Sequence, residues 1–273
     1  MPNFLRYFVF IFAFMLSSTV CAQVAYVASS SLTSTGQNSM NALKPNGVNT
    51  SHMLVAMVAA SRPLSSIPSG WTVIQSRTYP SETTMSSYLL YKPVAATDPA
   101  NYLFNFTSAA AISITISAYS GVDMANPVLA SSVKTGTVTV TETGQMSTNA
   151  VNASMAGSMG ITLLSRSSTT SPGNTDPANA AGTTNIAHSA IGTNAVSYLG
   201  YSYSYEPLST ADNTYSTTST TTGTYIGLLA VLRPDVTPTA LGSCVNNMLT
   251  TAGALNPAQW RTNVVGGTFT PQI

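Results

Sequence analysis

Charge is scarce in this chain. Lys, Arg, Asp and Glu together make up 6 % of its 273 residues, against about 25 % in an average globular domain. That scarcity excludes the basic nucleic-acid binder, the charge-rich coiled coil and the acidic disordered tail. Cysteine is nearly missing too, with only Cys21 and Cys244, so no disulfide framework can staple the fold. Two histidines, His52 and His188, leave little material for a zinc site. Long apolar runs are few: Tyr7 to Leu16 is uninterrupted, but a bilayer span needs about 20 residues. The abundance lies elsewhere. The chain holds 37 serines and 39 threonines, 28 % of the total, beside 44 % hydrophobic residues. Hydroxyls and amides must therefore cover the surface while enough apolar side chains remain to build a core.

Residues 1–22 have the layout of a secretory signal peptide. A short start with one fixed positive charge, Arg6, precedes the apolar run, and Val20-Cys21-Ala22 offers small residues where a signal peptidase reads. Cleavage near Ala22 predicts a secreted or cell-surface protein. Val20 stands before Cys21 where a lipoprotein would carry a small residue, which argues against lipidation. Loss of Arg6 leaves eight basic and eight acidic side chains, and such a balanced, charge-poor surface favours association. It also offers no means of neutralising a row of phosphates, so nucleic acid is not expected as a partner. Once Cys21 departs with the leader, Cys244 is a lone thiol, available for intermolecular pairing or for burial as a small hydrophobe.

Strand signals dominate the remainder. Met53 to Ala60 is continuously apolar, while Trp71 to Ser76, Met85 to Lys92, Asn101 to Thr107 and Ala111 to Tyr119 follow at short intervals. Ile112, Ile114 and Ile116 alternate with Ser113, Thr115 and Ser117, the period of a half-buried strand. Gln23 to Ser29, a Val138 and Val140 alternation, Met159 to Ser165, Thr184 to Ile191, Tyr198 to Glu206 and Thr224 to Arg233 complete the set. Pro, Gly and Asn clusters separate the runs, and no helical period is sustained before Pro234. Short strands without crossover helices predict an all-β fold, an antiparallel two-sheet, jelly-roll-like sandwich over 23–234. Ser165 to Gly182 reads as a long surface loop. Residues 235–273 read as a C-terminal extension with a short helix around Trp260 and a strand-like Val264 to Phe269.

Ser69-Gly70-Trp71, Tyr88 to Lys92, Asp98-Pro99-Ala100-Asn101-Tyr102, Phe104 to Thr107 and Ala118 to Asp123 carry a resemblance. Over Met53 to Asp123, and more weakly over Ile226 to Pro234, the chain resembles a loose group of single-sandwich domains. These belong to phage virion or tail proteins and bacterial surface proteins, largely of unknown function. The resemblance implies a β-sandwich and brings no catalytic set with it. The leader and the tail after Pro234 depart from phage-encoded members and turn the expectation toward a bacterial envelope product. Read physically, Gly70 suits a tight turn, and Trp71 can cap a core.

Chemistry-bearing constellations are thin. Glycoside hydrolysis needs two carboxylates at one cleft, and the eight acids, none adjacent, mostly fall in turns. Gly-x-Ser-x-Gly is absent, and both histidines read as surface residues. No enzyme is expected, with an envelope hydrolase the least favoured reading. No cofactor is expected either, although Asp98, Asp123 and Asp212 could give calcium its oxygen ligands. For ligand binding the candidates are Tyr201, Tyr203 and Tyr205, three rings alternating with serines, and Trp260; rings of this kind stack on sugars or on another subunit. Burial of the same tyrosines in the core is the stronger expectation. Asp212 to Gly223, eight of whose twelve residues are Ser or Thr, reads as an edge strand or loop. The sequence thus predicts a non-enzymatic, exported, structural or adhesive sandwich that self-associates or binds other surface proteins. A secreted glycan-binding module, with polysaccharide as partner, is the alternative.

Overall fold

A computed structural model describes residues 23–79, 85–138, 144–151, 155, 157–167, 183–189, 196–204, 216–219 and 223–235. Of these, Thr183–Ser189, Val196–Ser204 and Ser216–Ser219 are described by backbone and register. Every regular element among the described residues is a strand. The chain runs through β1 (Ala25–Leu43), β2 (Met53–Ala60), β3 (Thr72–Tyr79), β4 (Met85–Pro93), β5 (Asn101–Ser120) and β6 (Val128–Val138). It continues through β7 (Gly144–Ser147), β8 (Met159–Ser167), β9 (Thr183–Ser189), β10 (Val196–Ser204), β11 (Ser216–Ser219) and β12 (Gly223–Leu232). All pairing is antiparallel. One five-stranded sheet has the order β1-β5-β2-β4-β3, a second the order β6-β12-β8-β10-β9, and β11 pairs with β7 in a small third.

The antiparallel two-sheet architecture expected from strand spacing is therefore present. Its connectivity is segregated: strands β1 to β5 complete the first sheet before the chain enters the second. The sheets lie face to face, with β3 over β6 and β12, β4 over β12 and β8, and β2 over β10. Between them Met53, Val55, Met57 and Leu89 of the first sheet meet Ile161, Leu163, Ile226 and Leu228 of the second.

Met53–Ala60 is buried at every position because the first sheet is covered on both faces. Its odd residues enter the core between the sheets. Its even residues, Leu54, Ala56, Val58 and Ala60, join a second core with Ile112, Ile114 and Ile116. The cover for that second core comes from the same sheet. β1 and β5 pair along almost their whole lengths, from Ala25 opposite Ser120 to Leu43 opposite Asn101, with irregular register around Ser34 to Ser39. β2 pairs only with the Ile112–Tyr119 half of β5. The other half of the ribbon lays Met40, Tyr102, Phe104 and Phe106 onto the outer face of the sheet. Bulged, glycine-containing strands permit such a bend. The two runs read separately at Asn101 to Thr107 and Ala111 to Tyr119 are thus one strand, because the small residues Ser108, Ala109 and Ala110 let it curl without breaking.

Hydroxyls enter the inter-sheet core as well. Ser87, Ser113, Thr115, Ser117 and Ser165 are fully buried. Ser87 bonds to Ser165 across the gap between sheets, Ser117 donates to the Val55 carbonyl at 3.3 Å, and Thr115 pairs with Ser31 at 2.7 Å. A buried hydroxyl is tolerated when it finds a partner. The serine-rich side of the alternating Ile/Ser strand is therefore a core face, where sequence periodicity alone suggests solvent.

Three further expectations change. β8 continues to Ser167 with Ser165 and Arg166 buried, so the first three residues of the loop predicted from Ser165 belong to a strand, and residues 168–182 lie outside the described residues. β6 occupies Val128–Val138, so it starts well before the predicted alternation and takes in its Val138, while Val140 lies outside the described residues. β1 runs past Ser29 to Leu43. Residues 1–22, Cys244, the helix around Trp260 and the strand-like Val264 to Phe269 lie outside the described residues.

Candidate functional site

Gly70, Trp71, Lys92, Asp98, Tyr102 and Phe104 meet at one corner of the first sheet. Gly70 turns the chain with φ +79° and delivers Trp71 at the start of β3. The Trp71 ring meets Tyr102 edge-on at 5.2 Å and Phe104 at 6.0 Å, so the bent ribbon is clamped to the far side of the sheet it grew from. Next to Gly70 lies the Lys92 side chain, whose ammonium pairs with Asp98 at 2.8 Å. Asp98 also accepts the Ala95 amide at 2.9 Å. Burial pulls its carboxyl upward, but the Lys92 and Ala95 hydrogen bonds and the neighbouring Tyr102 phenol outweigh that and hold it below the usual value. The Tyr102 phenol is pushed well above its ordinary range, first by burial and then by the Asp98 charge. A carboxylate so engaged is a poor general acid and a committed structural partner.

The second expected ligand donor is similarly occupied. Asp123 Oδ1 accepts the amides of Ala125 and Asn126 at 2.9 and 3.1 Å, closing a turn on its own backbone. Asp212 lies outside the described residues. Asp98 and Asp123 each serve their own turn, and among the described residues no group of three His, Cys, Asp or Glu side chains is assembled. His52, expected at the surface, is buried instead, its Nδ1 accepting the Asn49 amide at 3.1 Å. The tight turn before β2 folds its ring inward, which a strand-entry position does not reveal. His188 lies on β9 opposite Leu199.

Of the predicted ring platform, positions 201 and 203 are on β10, opposite Thr162 and Gly160 of β8. Those two β8 positions alternate with Met159, Ile161 and Leu163, which fill the inter-sheet core. Positions 201 and 203 therefore belong to the row turned away from that core, the same row as Leu229 and Val231 on β12. Tyr205 and Trp260 lie outside the described residues.

The feature that sequence reading did not locate is an edge. β1 ends the first sheet, with β5 as its strand neighbour. Its 19 residues include no charge and no proline. Tyr26, Val27, Leu32 and Leu43 are 38, 36, 41 and 56 % exposed, half of the large apolar side chains exposed among the described residues. The signal was present in the sequence as an unusually long charge-free stretch, but only the strand order shows that it lies at a boundary. Compared with protein-family models, with curated proteins and with solved structures, the chain matches none. Among the described residues no helix is long and apolar enough to cross a membrane.

Proposed function

We propose that this chain is an exported, non-enzymatic β-sandwich, a structural or adhesive component of the cell envelope or extracellular space. It holds to copies of itself or to other surface proteins through sheet edges. The observation that carries this reading is the long edge strand without charge or proline, on a protein with few charges anywhere. Exposed strand edges recruit other strands unless charge, proline or a cover prevents it. The engaged state of Asp98 and Asp123, and the leader-like start of the chain, support the same reading. Backbone pairing and apolar contact are little screened by ions, so association should be insensitive to salt. Sedimentation at 0.05 and 1 M sodium chloride checks this, and oligomers that dissolve as salt rises would refute strand pairing as the basis of assembly. Fractionation of the producing cell should find the protein outside the cytoplasm.

A second reading has one observation of its own. Positions 201 and 203 share one face of β10, and two rings in one row can stack on sugars. Under this reading, Tyr203→Ala weakens retention on a polysaccharide column with little change in melting temperature.

A further inference from the structure

Four strands end the two large sheets, and they are not equally open. β3 is eight residues long, carries Arg77 and is bulged between Val73 and Gln75. β6 carries Lys134 and lies beside the segment after β7: Asn149 Nδ2 donates to the Val133 carbonyl, Ser132 Oγ to the Asn149 carbonyl and Lys134 Nζ to Ser147 Oγ, each at 2.7 Å. β9 spans only seven residues. β1 has neither charge nor proline; it carries register shifts at Tyr26/Ala28, Ser34/Gln37 and Gln37/Ser39. The Ser30 hydroxyl donates to the Leu43 carbonyl at the strand's own far end, while the backbone edge of Ala28 to Ser34 has no strand partner on its outer side among the described residues. Between those shifts Ala28 to Ser34 pairs without interruption with Ala118 to Ile112. This is the longest regular stretch of an undefended edge in the described molecule.

We infer that Ala28–Ser34 pairs antiparallel with the same segment of a second copy, joining two five-stranded sheets into one continuous ten-stranded sheet. The inference deepens the proposed reading of the chain as a self-associating sandwich and rests on it. The occupant follows from what the segment presents. A foreign strand needs only a free edge, but a second copy also matches this one in chemistry. Two-fold pairing centred on Ser31 sets Ala28 against Ser34, Ser29 against Thr33 and Ser30 against Leu32, so each pair is small, hydroxyl-bearing or branched and no charge meets a like charge. Cross-strand Ser and Thr pairs of this kind are favourable. Ser31 already bonds to Thr115 at 2.7 Å on the neighbouring strand, and the pairing extends that hydroxyl row across the axis. Leu32, 41 % exposed, gains cover on the opposite face. Such an interface is isologous and closes as a dimer, without open-ended polymerisation at this edge.

The test is sedimentation velocity of the purified protein over a concentration series, with circular dichroism melts as the check on folding. Wild type should show a monomer–dimer equilibrium. Leu32→Lys, a change at an exposed side chain, should weaken the dimer at least tenfold while leaving the melting temperature in place. Val73→Lys, at the similarly exposed edge of β3 (39 %), should leave the dimer intact. Ser31→Cys in a Cys244→Ala background should form a disulfide-linked dimer under mild oxidation, because residues directly opposed across the axis bring their Cβ atoms to about 4.5 Å at closest, the upper end of what a disulfide spans. A wild-type monomer at the highest concentration reached, a dimer indifferent to Leu32→Lys, or one broken by Val73→Lys overturns the assignment. A monomer that is nonetheless recovered from the envelope would remove this edge pairing and leave the exported-sandwich reading standing.

Discussion

The bend that folds one half of the β1/β5 ribbon over its own sheet can be tested at a single side chain. Phe104 is fully buried, packs 6.0 Å from the Trp71 ring and belongs to the core on the outer face of the first sheet. Truncating such a phenylalanine removes its transfer free energy and leaves a cavity, which costs about 3–5 kcal/mol. In a domain of this size each kcal/mol moves the melting temperature by roughly 2–4 °C, so Phe104→Ala should melt about 6–20 °C below wild type. The neighbour supplies the contrast. Leu103 is 48 % exposed on the other side of the ribbon, and Leu103→Ala should stay within about 0.5 kcal/mol. Thermal and urea unfolding followed by circular dichroism compare the two directly. Equal losses for both variants, or a loss at Phe104 under about 1 kcal/mol, would mean that the ribbon does not fold back onto the sheet.

Asp98 should make stability depend on acid. Its carboxyl in the folded protein lies below the ordinary 3.8, so its contribution is fully present above that value and is lost as the pH falls through the folded-state pKa. Asp98→Asn should be less stable at neutral pH, with the gap to wild type closing on acidification; a gap that does not vary with pH would refute the linkage. The buried Ser87 and Ser165 hydroxyls should be strongly coupled. Ser165→Ala should cost about 1–3 kcal/mol by stranding Ser87, Ser87→Ala less because Ser165 keeps the Ile226 carbonyl at 3.4 Å, and the double variant should lose less than the sum. A double-mutant cycle in urea measures this, and strict additivity would show the pair to be energetically inert.

Where burial and alternation agree, the fold was legible. Met53 to Ala60 emerges from the sequence with the boundaries of β2, and its unbroken apolar run foretells cover on both faces. The hidden parts are those where small residues do two jobs. Ser113, Thr115 and Ser117 look solvent-facing by period, yet all three are fully buried. Val128–Val138 carries too little apolar contrast to mark a strand until Ile226 to Leu232 lies beside it. The Lys92 and Asp98 pair was invisible because its partners meet only when β4 and the turn after it fold. The ring platform was visible as composition, but which row its positions occupy is a property of register, settled by the β8 partner. The undefended edge was missed because sequence shows a lack of charge and not which strand stands last.

The separation of the two sheets along the chain bears on how the polypeptide matures. Ala25–Ser120 contains one whole sheet together with the ribbon that roofs it, so the earlier half can assemble its outer core while the later half is still being made. Only the Met53, Val55 and Met57 side is left bare, waiting for Ile161, Leu163 and Leu228 to arrive. The late fastenings fall where the two halves touch at their ends, from Val24 to Gly157 and from Asp235 to Gly121. Synthesis from the amino terminus and the order of layers in the finished molecule run in the same direction, which keeps sticky surface uncovered for the shortest stretch of growth.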